Sequence, residues 1–463
     1  MKSGKEKINK SFFYFIYVII WTLITVILIY PNFSFYKILG TFIFIPIYIY
    51  FSFKFLEKVK PIYINLEEKD ILFLNILIFL DVIFAKLFTY TLIYFNNFNI
   101  PNLFVPSFVG ILLTSLFHGK KMGAIYGIIA GIPAFLFNNP ILYFLPMIGA
   151  IRSTFIKDDL ISRAAIFKSS MIGACGFSAL LLSLILAFYP SFLPYWYKYL
   201  FAAFLGGLYS FLVVNALIPL FEVLFDYTTN LTYLNLSNLH HPLLRKLLLK
   251  APGTYNHSVM VATLAEAAAE AIGANTVLAK CGAIYHDIGK IKRPEYFIEN
   301  QHGYNPHDFL DPRESAEIIK SHVTEGIKLG KKYKLPKKVI DCIAQHHGNS
   351  LIKYFYEKAK RMGLQVNEKD FRYPGPKPQF REAGIIMLAD VVEAATRAIK
   401  DDVDINLKQF IHKLIQKVVD DDQLSQSGLS LKDIRLIEKV FFKILSGVYH
   451  KRIKYEKQTE KEN

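Results

Sequence analysis

Before residue 230 the chain is a succession of nearly charge-free apolar runs, each close to the length that crosses a bilayer. That pattern restricts the half severely. A spanning helix needs about 20 apolar residues, and in lipid every backbone amide must be satisfied inside the segment. Runs of this kind occupy about 12–30, 35–53, 71–95, 101–117, 122–138, 140–151, 164–189 and 196–226. The fifth and sixth are short and meet at Asn138-Asn139-Pro140, so they form either two passes or one re-entrant hairpin. The expectation for 1–229 is a polytopic transmembrane bundle of about eight helices.

The positive-inside rule sets its orientation. With the N-terminus inside, the inner loops carry Lys2, Lys5, Lys7, Lys10, Lys54, Lys58, Lys60, Lys69, Lys120, Lys121, Arg152, Lys157 and Arg163. The outer loops near 31–34, 96–100, 139 and 190–195 carry no Lys or Arg. An even number of passes leaves the second half in the cytoplasm. The first run is long, and no small-x-small site follows it, so it reads as an anchor rather than a cleaved leader. Asp81 and Lys86 lie inside the third run, where charge is costly; they read as a structural ion pair or as part of a sensing device.

From about 230 charges recur every few residues, and the pattern turns to amphipathic helix with no strand signal. Residues 257–273 are Ala-rich and stop on Gly273; Asn275 caps a helix that stops near Gly289; further helices are expected near 313–333, 337–346, 351–362, 380–400, 406–420 and 430–448. Residues 230–463 therefore form an all-helical domain. It holds 37 Lys+Arg against 28 Asp+Glu, a basic balance that suits an anionic substrate or acidic headgroups as well as an ordinary solvated surface. Nothing in it marks a module for a nucleic-acid polymer. Cys175, Cys281 and Cys342 have no CxxC spacing, which argues against a disulfide framework and a thiolate metal site.

The informative polar residues are imidazoles and carboxylates set against apolar runs: His257, His286–Asp287, His322, His346–His347 and Asp390. Each alone has a bland reading as a core histidine or a helix cap. Together they supply neutral nitrogen and anionic oxygen donors that suit Fe, Mn, Zn and similar divalent ions, and about seven such ligands make a two-metal centre in which an Asp bridges. A second His-Asp pair, His307–Asp308, follows Pro306 in a loop and reads as turn capping or a loop contact.

The order His257, His286–Asp287, His322, His346–His347, Asp390 resembles the HD-domain metal phosphohydrolases. The strings HPLLRKLLLKAPGTYNHSVM, YHDIGKIKRPEYFIENQ, NPHD, QHHG and FRYPGPKPQ make the chain similar to the seven-transmembrane HD-domain cyclic-di-AMP phosphodiesterases of the PgpH type. The resemblance implies a membrane-bound enzyme of the bacterial cell membrane, with a cytoplasmic domain that hydrolyses cyclic di-AMP to pApA and a lipid bilayer as its other partner. It leaves homo-oligomerisation open. It implies two divalent ions, Fe or Mn, one on His257, His286, Asp287 and Asp390 and the other on His322, His346 and His347, with Asp287 bridging. Lys290 is expected to steady a non-bridging phosphate oxygen, with Arg293 and Arg372 as further substrate contacts. One departure stands out: about five residues separate the first two runs, where the family holds a large extracytoplasmic domain. Two alternatives stay open. A cyclic di-GMP or other nucleotide phosphohydrolase is one, although QHHGNS lacks the HHE and downstream GYP of the cyclic-di-GMP type. A membrane receptor that binds nucleotide without turnover is the other.

Overall fold

The computed structural model describes residues 163–172, 196–301, 303–399 and 406–448, with position 113, position 194 and parts of 69–80. Most of the eight apolar runs, with Asp81 and Lys86, lie outside the described residues. The chain divides into two compact units, Met1–Leu231 and Thr232–Asn463.

In the first unit, helix α1 (Trp196–Phe225) runs for 30 residues and carries Pro219 inside it. Phe73 packs edge-on against Phe221, Phe225 and Tyr227, with centroids 5.1, 5.4 and 5.5 Å away. The Tyr227 hydroxyl donates to the buried Asp70 carboxylate at 2.5 Å, so the buried charge has a partner. Among the described residues no single helix passes a length and hydropathy test for a membrane span; one pair bent by 88°, Phe211–Phe225 with α2 (Asn230–Leu236), passes by length and composition.

The second unit is helical throughout its described residues, as the periodicity predicts, with only an isolated antiparallel bridge between Leu351 and Arg372. Its helices are α3 (Pro242–Lys250), α4 (Pro252–Ile272), α5 (Thr276–Tyr285), α6 (Pro312–Lys332), α7 (Lys337–Gln345), α8 (Lys353–Arg361), α9 (Arg381–Ala398), α10 (Leu407–Asp420) and α11 (Leu431–Val448). The caps explain the boundaries. Asn275 accepts from the Leu278 amide to open α5, and Asp311 accepts from the Arg313 amide ahead of Pro312 to open α6. Gly273 ends α4 in the left-handed region at φ 65°, where a side chain is disfavoured.

Small residues let the ligand-bearing helices approach. Ala262, Ala265, Ala268 and Ala269 of α4 are buried, and α9 is buried continuously from Ala383 to Asp390. α5 differs from its expected length. It stops at Tyr285, and Ile288–Lys292 continue as a tighter 3-10 turn. The turn lies against α6 so closely that a Cβ at Gly289 would stand 1.8 Å from the His322 carbonyl oxygen. Only glycine permits that approach. On the other side, the Tyr285 hydroxyl donates to the Leu236 carbonyl at 2.9 Å, fixing the residue that precedes His286.

Candidate metal centre

Five segments bring the seven imidazoles and carboxylates together. His257 lies near the start of α4, His322 in the middle of α6 and Asp390 inside α9. His286–Asp287 follow directly on α5, and His346–His347 follow directly on α7. Helix C-termini carry partial negative charge from their unpaired carbonyls, so two helix ends favour a cation beside these pairs.

The donor atoms fall into two groups, each within 4.8 Å: His257, His286 and Asp390 in the first, and Asp287, His322, His346 and His347 in the second. Asp287 joins them. Its Oδ2 lies 3.6 Å from His257 Nε2 and 3.3 Å from His286 Nε2, while its Oδ1 lies 3.4 Å from His322 Nε2 and 3.6 Å from His346 Nε2. Asp390 spans the groups as well. Its Oδ1 is 3.0 Å from His257 Nε2 and 3.8 Å from His286 Nε2, and its Oδ2 is 3.6 Å from His347 Nδ1.

The outer nitrogens fix the inner ones. The Nδ1 atoms of His286, His322 and His346 donate to the carbonyls of Ala283, Ile319 and Ile343 at 2.6, 2.6 and 2.8 Å. A carbonyl only accepts, so Nδ1 carries the hydrogen and the Nε2 lone pair is left facing the centre. His257 gives its Nδ1 to Glu393 on α9. This pairing of a ligand imidazole with an outer acceptor is how metal-binding histidines are oriented.

Charge and burial fit divalent cations. The buried atoms His257 Nε2, His286 Nε2 and both Asp287 oxygens have no aligned hydrogen-bond partner. The Lys290 ammonium offsets part of the charge at Asp287 Oδ2, and a metal ion would offset the rest of the cost of burying these donors. Burial favours the neutral Asp287 carboxyl, but the Lys290 and His286 charges outweigh it and hold the group well below the usual carboxylate range. For Asp390, burial is likewise outweighed, here by the neighbouring His257, His286 and His347 imidazoles, and the group is held well below the usual carboxylate range. Burial depresses His322 to about 3 against the pull of Asp287, and it keeps His347 low as well, so both are neutral donors at pH 7. Burial also acts to lower His286, but the Asp287 and Asp390 carboxylates raise it to about 10. A metal ion would take the Nε2 lone pair in place of that proton, drawn by the same negative field.

Lys290 reaches the centre by an unexpected route. An α-helical spacing from His286 does not apply, because the chain is in the 3-10 turn. The turn instead sets Lys290 Nζ 2.6 Å from Asp287 Oδ2 and 2.9 Å from Glu299 Oε1, over the Phe297 ring at 4.9 Å. Arg293 is exposed. Arg372 is engaged elsewhere: it donates to Glu368 at 2.7 Å, to the Asn349 carbonyl at 2.9 Å and to Asp421 at 3.1 Å. His307 is a packing residue, with Nε2 bonded to the Tyr296 carbonyl at 3.0 Å and its ring against Tyr296 and Phe355.

Four further residues, none among the candidate ligands, shape the site. Glu393 orients His257 and shares a face of α9 with Asp390 three residues earlier, a spacing that signals the link. Glu299 shares Lys290 and accepts from Thr254 at 2.9 Å, while Asn300 accepts from the Gly253 and Thr254 amides at 2.9 and 3.2 Å and so caps the helix that carries His257. Tyr373 stacks on His347 with centroids 4.3 Å apart. Its loop has no periodicity to betray it.

Residues 254–395 match the HD domain family, and residues 35–229 match the family described as a 7TM receptor with intracellular HD hydrolase. Over 257 residues, 55% of this chain, the sequence is 48% identical to the cyclic-di-AMP phosphodiesterase PgpH of Bacillus subtilis and covers 36% of that protein. Over 390 residues, 82% of this chain, it is 39% identical to PgpH of Listeria monocytogenes and covers 54% of it. The chain thus spans about a third to a half of the length of these relatives. The crystal structure of the L. monocytogenes PgpH HD domain in complex with cyclic-di-AMP is 47% identical, with a TM-score of 0.44 over 46% of this chain and 100% of that one.

Proposed function

The chain belongs to the PgpH-type family, in which a 7TM region precedes an intracellular HD hydrolase, and from that premise we propose that it hydrolyses cyclic di-AMP to linear pApA at the Asp287 centre. The observation that carries the reading is the division of labour at Asp287. Its two oxygens face two separate sets of imidazole nitrogens, with the Lys290 ammonium beside Oδ2. Two divalent ions held there, Fe or Mn, supply hydroxide at neutral pH and neutralise phosphoryl charge.

The chain's own residues do the rest. His257, His286 and Asp390 would hold one ion, and His322, His346 and His347 the other, with Asp287 available to both. Glu393 and the carbonyls of Ala283, Ile319 and Ile343 fix which nitrogens face inward. Lys290 adds a positive charge beside Asp287, on the side where an anionic phosphate gains from it. The apolar runs of 1–229 form about eight membrane spans with the N-terminus inside, which keeps the centre in the cytoplasm with its substrate.

The test is the product profile of detergent-purified protein loaded with Mn²⁺ and given cyclic di-AMP or cyclic di-GMP. Release of pApA with little cleavage of the guanine analogue is expected. Preference for cyclic di-GMP, or binding of cyclic di-AMP with no linear product, would replace this function with one of the alternatives.

A further inference from the structure

Tyr373 does more than its packing requires. Its ring lies nearly parallel to His347, 25° between planes at 4.3 Å, and stands edge-on to His322 at 6.0 Å. Both are ligands of the second group. His347 is also the most open of the acidic and imidazole donors, with 21% of its side chain exposed against 9% for Asp390 and 1% or less for His257, His286, Asp287, His322 and His346. Tyr373 therefore stands where a ligand approaches the centre.

The position is braced from both sides. The Tyr373 amide donates to the Ser350 carbonyl at 3.0 Å, and Ser350 in turn donates through its amide and hydroxyl to the His347 carbonyl at 3.1 and 2.7 Å. Arg372, next to it, is clamped by Glu368, Asp421 and the Asn349 carbonyl. Gln423 accepts from the Asn349 amide at 3.1 Å, and its Oε1 would meet a Cβ at Gly348 at 2.4 Å, so the turn after His347 needs glycine there. This frame sets the ring, and a phenylalanine would fill it equally well.

The hydroxyl is the unexplained part. It has no hydrogen-bond partner among the described residues, yet its ring lies against two imidazoles of the second group. A phenol is a neutral donor at pH 7. Resting on the phosphodiesterase reading, we infer that Tyr373 is a catalytic residue whose hydroxyl donates a hydrogen bond to a non-bridging oxygen of the scissile phosphate. Arg372, expected to touch substrate itself, is instead the positioning residue for Tyr373.

The experiment compares the wild-type chain with Tyr373→Phe and Tyr373→Ala in detergent, loaded with Mn²⁺, on cyclic di-AMP and on a simple chromogenic phosphodiester. Metal content, kcat and KM are read for each. Tyr373→Phe keeps the ring stack, so full metal content is expected with kcat lowered about 10²-fold, the loss typical of one transition-state donor. Tyr373→Ala is expected to lower kcat at least as much and to reduce metal occupancy by loosening His347. Wild-type kcat in Tyr373→Phe overturns the inference, and so does a loss of metal in that variant that accounts for the loss of rate. If wild type cleaves the chromogenic diester but not cyclic di-AMP, the dinucleotide reading fails, and Tyr373→Phe on the chromogenic diester still decides the role of the hydroxyl.

Discussion

His257 and His347 mark opposite ends of one centre, and their surroundings differ. His257 is sealed in, with its outer nitrogen on the Glu393 carboxylate and its inner one 3.0 Å from Asp390. His347 is partly exposed, makes its inward contact through Nδ1 and has an aromatic ring as its neighbour. The enclosed end is oriented by a charged acceptor inside the protein; the open end is oriented by stacking on a loop. A closed group suits holding an ion tightly, and an open one suits exchange of water for substrate. The contrast teaches where binding energy and reactivity are separated within a single cluster of ligands.

The largest effect comes from removing the link between the ends. Asp287→Ala should lose both ions and more than about 10³-fold in turnover while the far-UV circular dichroism stays helical, since the proposed catalysis rests on a metal pair. Retained turnover would show that Asp287 is not shared. His347→Ala should separate the two ends: metal analysis is expected to find the enclosed ion kept and the other depleted. Equal loss of both would erase the contrast drawn above. Next, Glu393→Gln keeps the shape but removes the charge behind His257, and metal affinity should fall by about 10- to 100-fold at the enclosed end, as read by competition with a chelator.

The smallest effect is acid sensitivity. Burial alone would raise the Glu299 carboxyl, but Lys290 outweighs it and sets the group below its ordinary 4.5. A folded value below the unfolded one gives stability that is present above 4.5 and lost as pH falls through the folded value. The melting temperature of the metal-free protein should therefore drop on acidification below about pH 4.5. Glu299→Gln should start lower and show a shallower slope; an unchanged slope would detach Glu299 from the Lys290 brace.

The ligands were legible because an imidazole or carboxylate between apolar neighbours has few other uses. His286–Asp287 and Asp390 stand out for that reason. Helix limits such as 407–420 and 431–448 followed from periodicity and caps. Lys290 lies four residues after His286, a spacing that an α-helix would place on one face; its actual route is hidden from sequence, since the change from α to 3-10 geometry after Tyr285 depends on the close approach of α6 at Gly289 and not on local propensity. The clamp on Arg372 is not legible in the sequence because its partner Asp421 lies 49 residues away. Glu393 carries the charge of any surface helix residue, and only the fold reveals that it is 4% exposed.

Three of the imidazoles hand their outer hydrogen to a main-chain oxygen three residues upstream. Which nitrogen is left bare is therefore settled by helical trace alone. Neighbouring side chains are free to drift without disturbing that choice. Each ring thus has its bare nitrogen chosen within its own turn, and the grip on metal follows once the five segments pack together.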